Sequence, residues 1–290
     1  MTHSCYACAP ANPERVFAYD GGRAIAQFPM RFNGPPGNAN GGIAVGALAC
    51  PALASGDSGL RGTRITARLR RGIACDQSLT AEVTPAEGAV AVSISDGDGT
   101  LVEGTVTLSG DQRSSDVSTL IAELAPVARI GAGDRPPFFE ETGDHPIPGC
   151  FSCGPYNARG LHIYPRVAGD GLTCAPWHAA AEFDDGDGML APMIVASALD
   201  CSSGICMPVE MQRDLLAEDA FFLLGSLDVH FLRPAPVGRD YHVVAKALRR
   251  DGRKFFGASV LFDGDAVPYA TAEATWIVAG ISRTEAFGTK

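Results

Sequence analysis

The sequence contains two copies of one unusual pattern, half a chain apart. Residues 5–12 read Cys-Tyr-Ala-Cys-Ala-Pro-Ala-Asn, and residues 150–157 read Cys-Phe-Ser-Cys-Gly-Pro-Tyr-Asn. Three further matches follow in the same order: 46–50 with 197–201, 69–72 with 231–234, and 95–98 with 262–265. Such ordered self-similarity indicates that a structural unit was duplicated. We predict a first domain at 1–112, a connector at 113–145 and a second domain at 146–290.

Each half also has the same order of predicted elements. An extended segment, 24–32 or 161–167, is followed by a helix of small apolar residues at 42–53 or 192–207. β-Rich runs come next, at 64–70, 78–83, 90–95 and 101–108 in the first half, and at 221–231, 241–249, 255–262 and 267–278 in the second. The connector is predicted to hold a short helix at 117–124. A helix followed by a strand meander predicts an α+β fold, with an antiparallel sheet wrapped around the helix.

Composition excludes several classes of function. Hydrophobic residues make up 46% of the chain and charged residues 19%, which favours a large core over disorder. The net charge of −10 and the lack of a long Lys/Arg stretch argue against nucleic acid as a partner. No apolar run reaches the length of a membrane span, and the N-terminus does not resemble a secretion signal. Nine cysteines, an odd number, do not suggest a disulfide framework, so we expect a cytoplasmic protein.

Three segments carry a resemblance to a known family. Residues 33–42 (Asn-Gly-Pro-Pro-Gly-Asn-Ala-Asn-Gly-Gly) resemble the loop and helix start of acyl-CoA thioesterases, which usually end in His-Gly-Gly. Residues 227–238 resemble the strand and turn after that helix, and 150–161 resemble the opening of some members. The family is the hotdog superfamily. The resemblance implies two hotdog domains in tandem, each a long central helix wrapped by an antiparallel sheet, forming an intrachain pseudo-dimer.

The resemblance also implies where the active site lies. In the family two hotdogs pair side by side, and the site takes a helix N-terminus from one and an acidic residue from the other. The acid usually stands nine residues after the His of His-Gly-Gly. Here that spacing leads from Asn40 to Ala49, so the first half has the glycines without the acid. Counted back from Asp200 it reaches Ala191, so the second half has the acid without the glycines. One composite site per chain is therefore expected.

Each residue of this site has an expected role and an alternative. The backbone N–H of Gly42 at a helix N-terminus, with that of Gly41 as a second candidate, would stabilise the oxyanion, although the glycines could serve only tight turns. Asn40 cannot titrate, so its role would be orientation. Asp200 would be the general base for water or the nucleophile, or else a structural acid. Ser203 could orient the water or the carboxylate, or simply ease tight packing.

Coenzyme A enters only as part of the substrate, and no other cofactor is expected. Its phosphates would be held by basic residues on or beside the later strands, for which arginine is well suited. The candidates are Arg233, Arg249, Arg250, Arg253 and Lys254, with Arg68, Arg70 and Arg71 as first-half counterparts. Histidines 162, 178, 230 and 242 show no catalytic spacing.

The predicted function is hydrolysis of an acyl-CoA, or of an acyl-carrier-protein thioester. A hydratase or dehydratase is a second possibility, weakened because no His stands beside either helix start. A non-catalytic acyl-CoA-binding protein is the third. The paired Cys-x-x-Cys motifs suggest a zinc site formed by Cys5, Cys8, Cys150 and Cys153. The residues that flank these cysteines match the opening segment of the family, however, so no metal is predicted. A homodimer is possible, since the family often pairs further.

Overall fold

The computed structural model describes residues 5–20, 23–53, 62–108, 115–142 and 145–287. The first-half strands are β1 Phe17–Asp20, β2 Arg23–Ala26, β3 Arg64–Leu69, β4 Leu79–Ala86, β5 Ala89–Asp96 and β6 Gly99–Thr107. The second-half strands are β7 Arg166–Gly169, β8 Leu172–Ala179, β9 Phe222–Phe231, β10 Arg239–Asp251, β11 Lys254–Asp263 and β12 Pro268–Val278. The helices are α1 Gly41–Ala47, α2 Ala49–Leu53, α3 Ser115–Ile130, α4 Phe138–Thr142, α5 Pro192–Ile205, α6 Val209–Ala217 and α7 Arg283–Phe287.

The described strands form one antiparallel sheet in the order β1-β2-β4-β5-β6-β3-β9-β12-β11-β10-β8-β7. The first six places repeat the connectivity of the last six in reverse, so the sheet reads alike from either edge. The two sets meet where β3 pairs with β9, in a register that places Arg64 opposite His230 and Arg68 opposite Ser226. Thr66 opposite Asp228 is the centre of that register. The pairing is thus symmetric about its midpoint.

One face of the sheet is buried against the helices α1, α2 and α5. In β3, Ile65 and Ala67 are buried while Arg64, Thr66 and Arg68 are exposed, because successive side chains of a strand point to opposite faces. The buried face of the sheet packs on α1, α2 and α5, and every residue of α5 is buried. An apolar helix without a polar face is typical of a core position.

The first-half helix is not the single long helix expected at 42–53. It ends as α1 at Ala47 and resumes as α2 at Ala49. Pro51 accounts for the break, because proline has no N–H to donate and its ring clashes with the carbonyl four residues earlier, here that of Ala47. The second-half helix is continuous, as the sequence predicts.

The connector contributes more structure than its sequence suggests. Its helix α3 runs over Ser115–Ile130 rather than 117–124, and packs Leu120, Leu124 and Ala128 against Val244 and other buried residues of β10 and β11. The extended segments at 24–32 and 161–167 are strands only in part, as β2 and β7. The predicted boundary after residue 112 lies outside the described residues.

Within the described ranges, no single helix is long and apolar enough to cross a membrane. The bent pair of α5 and α6 meets that test only when its two helices are taken together.

Candidate active site

A cavity of about 480 Å³ opens between the two sets of elements. Asn40 and Gly41, at the N-terminus of α1, border it from the first half, and Asp200 on α5 borders it from the second. The remaining wall is mainly apolar, with Phe139, Ile205, Leu215, Phe221, Phe222, Leu224 and Trp276 among its residues. The structure thus brings together residues that lie about half a chain apart in sequence.

Asp200 is joined to the first half by a direct hydrogen bond. Its Oδ2 accepts from the backbone N–H of Gly42 at 2.8 Å. Its Oδ1 is buried, and among the described residues it has no hydrogen-bond partner. The residue is only 1% exposed. A buried polar atom without a partner is costly, so this oxygen is suited to bind a group that enters the cavity.

Burial also changes the acidity of this carboxyl group. Removal from water raises the pKa of Asp200 to about 7, and the hydrogen bond from Gly42 acts in the opposite direction. Desolvation disfavours the charged form, which is why the pKa rises. Perturbed carboxyl groups in a cavity are typical of functional sites, although structural acids show such shifts as well.

Asn40 fixes the start of α1. Its Oδ1 accepts from the N–H of Ile43 at 3.0 Å, which makes it the N-cap, and also accepts from the hydroxyl of Ser197 on α5 at 2.9 Å. Its Nδ2 lies 3.8 Å from the Sγ atoms of both Cys150 and Cys201. The side chain therefore links the N-terminus of α1 to α5.

The glycines of α1 have a packing role that the sequence interpretation missed. A Cβ on Gly42 would lie 2.6 Å from the carbonyl oxygen of Ala196 and from the Cα of Ser197. A Cβ on Gly46 would lie 2.4 Å from the Cα of Met193. The two helices therefore cross in backbone contact and run in opposite directions. The spacing of four residues between these glycines is the signal that would have indicated it.

Gly41 differs from Gly42 in its surroundings. It borders the cavity, whereas Gly42 lies behind it with its N–H bonded to Asp200. A Cβ on Gly41 would meet the side chain of Leu224 at 2.6 Å. The first helical turn leaves its N–H groups without partners inside the helix. The expectation that Gly42 is the first oxyanion donor is therefore corrected, because its N–H is engaged by Asp200, and Gly41 is the glycine of this pair that lies beside an entering ligand.

Ser203 does not reach the carboxylate of Asp200. Its hydroxyl donates to the backbone carbonyl oxygen of Asp200 at 2.6 Å and accepts from the indole Nε1 of Trp276 at 3.1 Å. The residue is fully buried. This geometry corresponds to the packing alternative, in which a small polar side chain joins α5 to β12.

The five basic candidates lie on β10 and β11 or in adjoining turns, and do not border the cavity. The Arg249 guanidinium lies 3.5 Å from the ring centroid of Phe256, and that of Arg233 lies 5.7 Å from the ring centroid of Tyr269. Arg250 donates to the carbonyl oxygen of Gly252, and Lys254 begins β11.

Three arginines, one of which is among these five candidates, lie nearest the cavity. Arg253 donates to the carbonyl oxygen of Val278 at 2.6 Å, between the cavity residues Ile277 and Ala279. Arg70 and Arg71, named as first-half counterparts, border the cavity directly and pair with carboxylates of β6 and β5.

One cavity histidine, His145, was not recognised from sequence. Its Nδ1 accepts from the N–H of Ile147 at 3.0 Å, so Nε2 carries the proton and donates to the carbonyl oxygen of Cys153 at 2.8 Å. Its ring also packs against Phe139, with the centroids 3.8 Å apart. Both nitrogens are therefore engaged by the backbone.

The opposite end of the α1–α5 pair holds the positions that are equivalent to the candidate site. The bridge between Asn33 and Ala39 recurs between Asp184 and Leu190, 151 residues later in each case. The same separation relates Gly42 to Met193, and it relates Ala49 to Asp200. At this end Met193 and Ala49 therefore stand where Gly42 and Asp200 stand at the other. The cavity here measures only about 10 Å³ and is bordered by Pro192, Met193 and Asp185, among others.

The comparisons with known proteins identify the fold. No protein-family model matches the chain, and no curated protein matches it. Among the solved structures that superpose over about nine tenths of the chain are the following three. A protein of unknown function with a hot dog fold from Alicyclobacillus acidocaldarius has a TM-score of 0.58 at 11% identity, covering 91% of this chain and 96% of that one. An acyl-CoA thioesterase II, TesB2, from Mycobacterium marinum has a TM-score of 0.58 at 11% identity, covering 91% and 95%.

The third structure is an inactive variant of the CurJ dehydratase, with a TM-score of 0.56 at 10% identity, covering 91% of this chain and 94% of that one. With its antiparallel sheet around buried helices, the chain therefore has an α+β hotdog fold, and its fold resembles that of a hotdog thioesterase over 91% of its length. At sequence identities this low, the similarity shows a shared fold and nothing more.

Proposed function

We propose that the protein hydrolyses an acyl thioester at a composite site formed by Asp200 and the N-terminus of α1. The observation that carries this proposal is the hydrogen bond from the N–H of Gly42 to Oδ2 of Asp200, at the wall of a largely apolar cavity. The bond fixes the carboxylate and leaves Oδ1 for the reaction. Two hotdog units in tandem, bounded near 112 and 146, would supply the two sides.

In this mechanism Oδ1 of Asp200 takes the proton from a water molecule, which attacks the thioester carbonyl carbon to give a tetrahedral intermediate. Collapse of that intermediate breaks the C–S bond, and the departing thiolate takes the proton from Asp200, which leaves the free acid and the thiol. In the alternative, Oδ1 attacks the carbon itself and expels the thiolate to give an anhydride, which water then hydrolyses to the acid and free Asp200. The backbone N–H of Gly41 donates to the carbonyl oxygen as negative charge develops there. Loss of one such donor typically costs roughly 2.7–4 kcal/mol of transition-state stabilisation. Asn40 holds the first turn of α1 in place, and Ser203 holds the backbone of α5 against β12.

The cavity wall favours an apolar acyl group. The side chains of Phe139, Leu215 and Trp276 form a surface that would exclude water from the thioester. The basic side chains nearest the cavity, Arg70, Arg71 and Arg253, would hold the phosphates of coenzyme A. The other four positions predicted from sequence, Arg233, Arg249, Arg250 and Lys254, would add positive charge farther from the cavity. A cytoplasmic location is part of this proposal, and fits nine cysteines of which none is in a disulfide.

Dehydration is the second candidate, because a dehydratase shares the fold. Such chemistry requires a histidine beside the thioester. His145 is placed at the cavity, but both ring nitrogens are bonded to backbone atoms. Hydrolysis is therefore the better proposal. Binding without turnover remains the third outcome that experiment distinguishes.

The direct test follows the loss of thioester absorbance over short, long and aromatic acyl-CoAs for wild type and Asp200→Asn. We expect wild type to hydrolyse some member of the panel, and the variant to lose roughly 10²–10⁴-fold in kcat, the usual contribution of a general base. Absorbance is preferred because nine cysteines would interfere with thiol reagents.

Asp185→Asn is a matched control. Asp185 is a half-buried carboxyl whose pKa is likewise raised to about 7 by desolvation, but it borders the small cavity at the other end. It should keep wild-type kcat. If Asp200→Asn retained full turnover while folded, the catalytic assignment would be wrong. If wild type bound acyl-CoA without hydrolysing any of the panel, the binding-protein alternative would replace hydrolysis.

A further inference from the structure

Six of the nine cysteines converge in two clusters that the proposed reaction does not use. The first cluster comprises Cys5, Cys8 and Cys50, and the second comprises Cys150, Cys153 and Cys201. In each cluster the three Sγ atoms all lie within 4.8 Å of one another. The single four-cysteine site considered from sequence is not formed, because each Cys-x-x-Cys pair instead joins a cysteine from the helix of its own half.

The sulphur separations suit a single ion. Sγ of Cys5 lies 3.3 Å from that of Cys8 and 3.3 Å from that of Cys50, and the Sγ atoms of Cys150 and Cys201 are 3.6 Å apart. Zn–S bonds of about 2.3 Å in tetrahedral geometry place two sulphurs roughly 3.8 Å apart. A disulfide requires about 2.05 Å. The thiols thus stand near metal-ligand spacing without being bonded to each other.

The recurrence of the cluster within the chain supports a shared role. Cys50 and Cys201 are related by the same 151-residue separation as Ala49 and Asp200. Yet the reacting positions differ between the two ends, whereas all three cysteines recur at both. The cluster of Cys5, Cys8 and Cys50 is present at the end where Met193 and Ala49 replace Gly42 and Asp200. The cysteines there must therefore serve something other than the acyl reaction.

We propose that each cluster binds one zinc ion through three thiolates, giving two ions per chain. Each thiol gives up its proton on binding, so uptake of an ion by the fully protonated cluster releases three protons. The first cluster adjoins a cavity of about 10 Å³, which is room for one water to complete the coordination. The second borders the 480 Å³ cavity, so its fourth position is open to solvent or to a ligand there.

The ions would pin the chain in two places. The first would tie residues 5–8 to α2, and the second would tie the turn at 150–153 to α5. The Nδ2 of Asn40 lies 3.8 Å from Sγ of both Cys150 and Cys201, so the second site also adjoins the N-cap of α1. This inference does not depend on the thioesterase proposal.

The test measures zinc in protein purified without chelators or a histidine tag, and the cobalt spectrum after exchange. We expect two zinc ions per chain, and a near-ultraviolet thiolate-to-cobalt charge-transfer band at two equivalents of cobalt. Metal-free wild type should regain Tm on addition of zinc. A chain that carries no zinc, gives no such band and gains no Tm would overturn the proposal and leave two groups of buried thiols.

Three variants separate the sites. Cys50→Ser and Cys201→Ser should each reduce the zinc content from two to one, and each should halve the cobalt band. Cys174→Ser is the control, because Cys174 is buried but lies outside both clusters, and it should keep two ions. Unchanged zinc in both cluster variants, or equal loss in the control, would refute the assignment. Since wild type alone gives the stoichiometry, a misfolded variant does not prevent a decision.

Discussion

Two adjacent serines on α5 differ in what their hydroxyl groups contact. Ser203 donates to the carbonyl oxygen of Asp200 and accepts from Nε1 of Trp276. Ser203→Ala leaves the indole N–H buried without this partner, which typically costs about 1–3 kcal/mol. We therefore expect a lower free energy of unfolding in denaturant titration. The kcat of the folded fraction should change little, since the hydroxyl does not touch the carboxylate.

Ser202→Ala is the matched control for that prediction. The hydroxyl of Ser202 is equally buried, but within the described residues it has no hydrogen-bond partner. Replacing it with a methyl removes an uncompensated polar group, so stability should stay level or rise. Equal losses in the two variants would mean that α5 simply does not tolerate alanine there, and that the bond to Trp276 contributes nothing.

At the scale of single residues, the sequence predicts which side chains matter better than it predicts what they contact. Asp200 stands out because an acid that directly follows the nearly apolar run Ile194–Leu199, inside the same helix, needs a partner or a function. Its partner, the N–H of Gly42, lies 158 residues away and was expected only through the resemblance to a family. Nothing local indicates that Ser203 bonds to Trp276, since that contact depends on how β12 packs over α5.

The crossing of α1 and α5 is the element-scale feature on which the site depends. Gly42→Ala would place a methyl group 2.6 Å from backbone atoms of α5, which cannot turn aside as a side chain can. Overpacking typically costs about 1–3 kcal/mol, which exceeds the roughly 1 kcal/mol that alanine gains in a helix. We expect a lower Tm, and reduced kcat because Asp200 would be displaced from the N–H of residue 42.

Gly97→Ala tests whether loss of any glycine has the same effect. A Cβ there would meet nothing within 4 Å, and the residue does not have a positive φ. Its free energy of unfolding should stay within about 0.5 kcal/mol of wild type. If Gly42→Ala matched it in Tm and in turnover, the close crossing of the helices would not be needed.

The elements that the sequence predicted best are those with a strong local pattern. Strands β9 to β12 are long, rich in β-branched and aromatic residues, and joined in two places by Asp-Gly turns. Strand β8 was missed because Pro176 lies in its interior, where proline usually argues against a strand. The break in the first-half helix could have been predicted from Pro51, because proline is poorly tolerated in the interior of a helix.

At the scale of the molecule, both the sheet and the helices join the two halves. Strand β3 pairs with β9, and α1 packs against α5. The repeat in sequence predicted two similar units, and the sheet order agrees with it. It could not predict that α3 would extend to Ile130 and cover β10 and β11. The amphipathic pattern of the connector shows that it packs on an apolar surface, but it does not show which surface. That contact decides where the chain can be divided.

A chain divided after residue 112 should separate the two sides of the site while keeping α3 with the strands it covers. We expect neither 1–112 nor 113–290 alone to hydrolyse acyl-CoA, because one lacks Asp200 and the other lacks Gly41 and Gly42. Co-expressed, the fragments should co-purify and recover turnover, which an absorbance assay on the purified complex measures. A dimer of 113–290 would set Asp200 against Met193 instead of Gly42. Hydrolysis by that fragment alone would therefore show that the site is not composite.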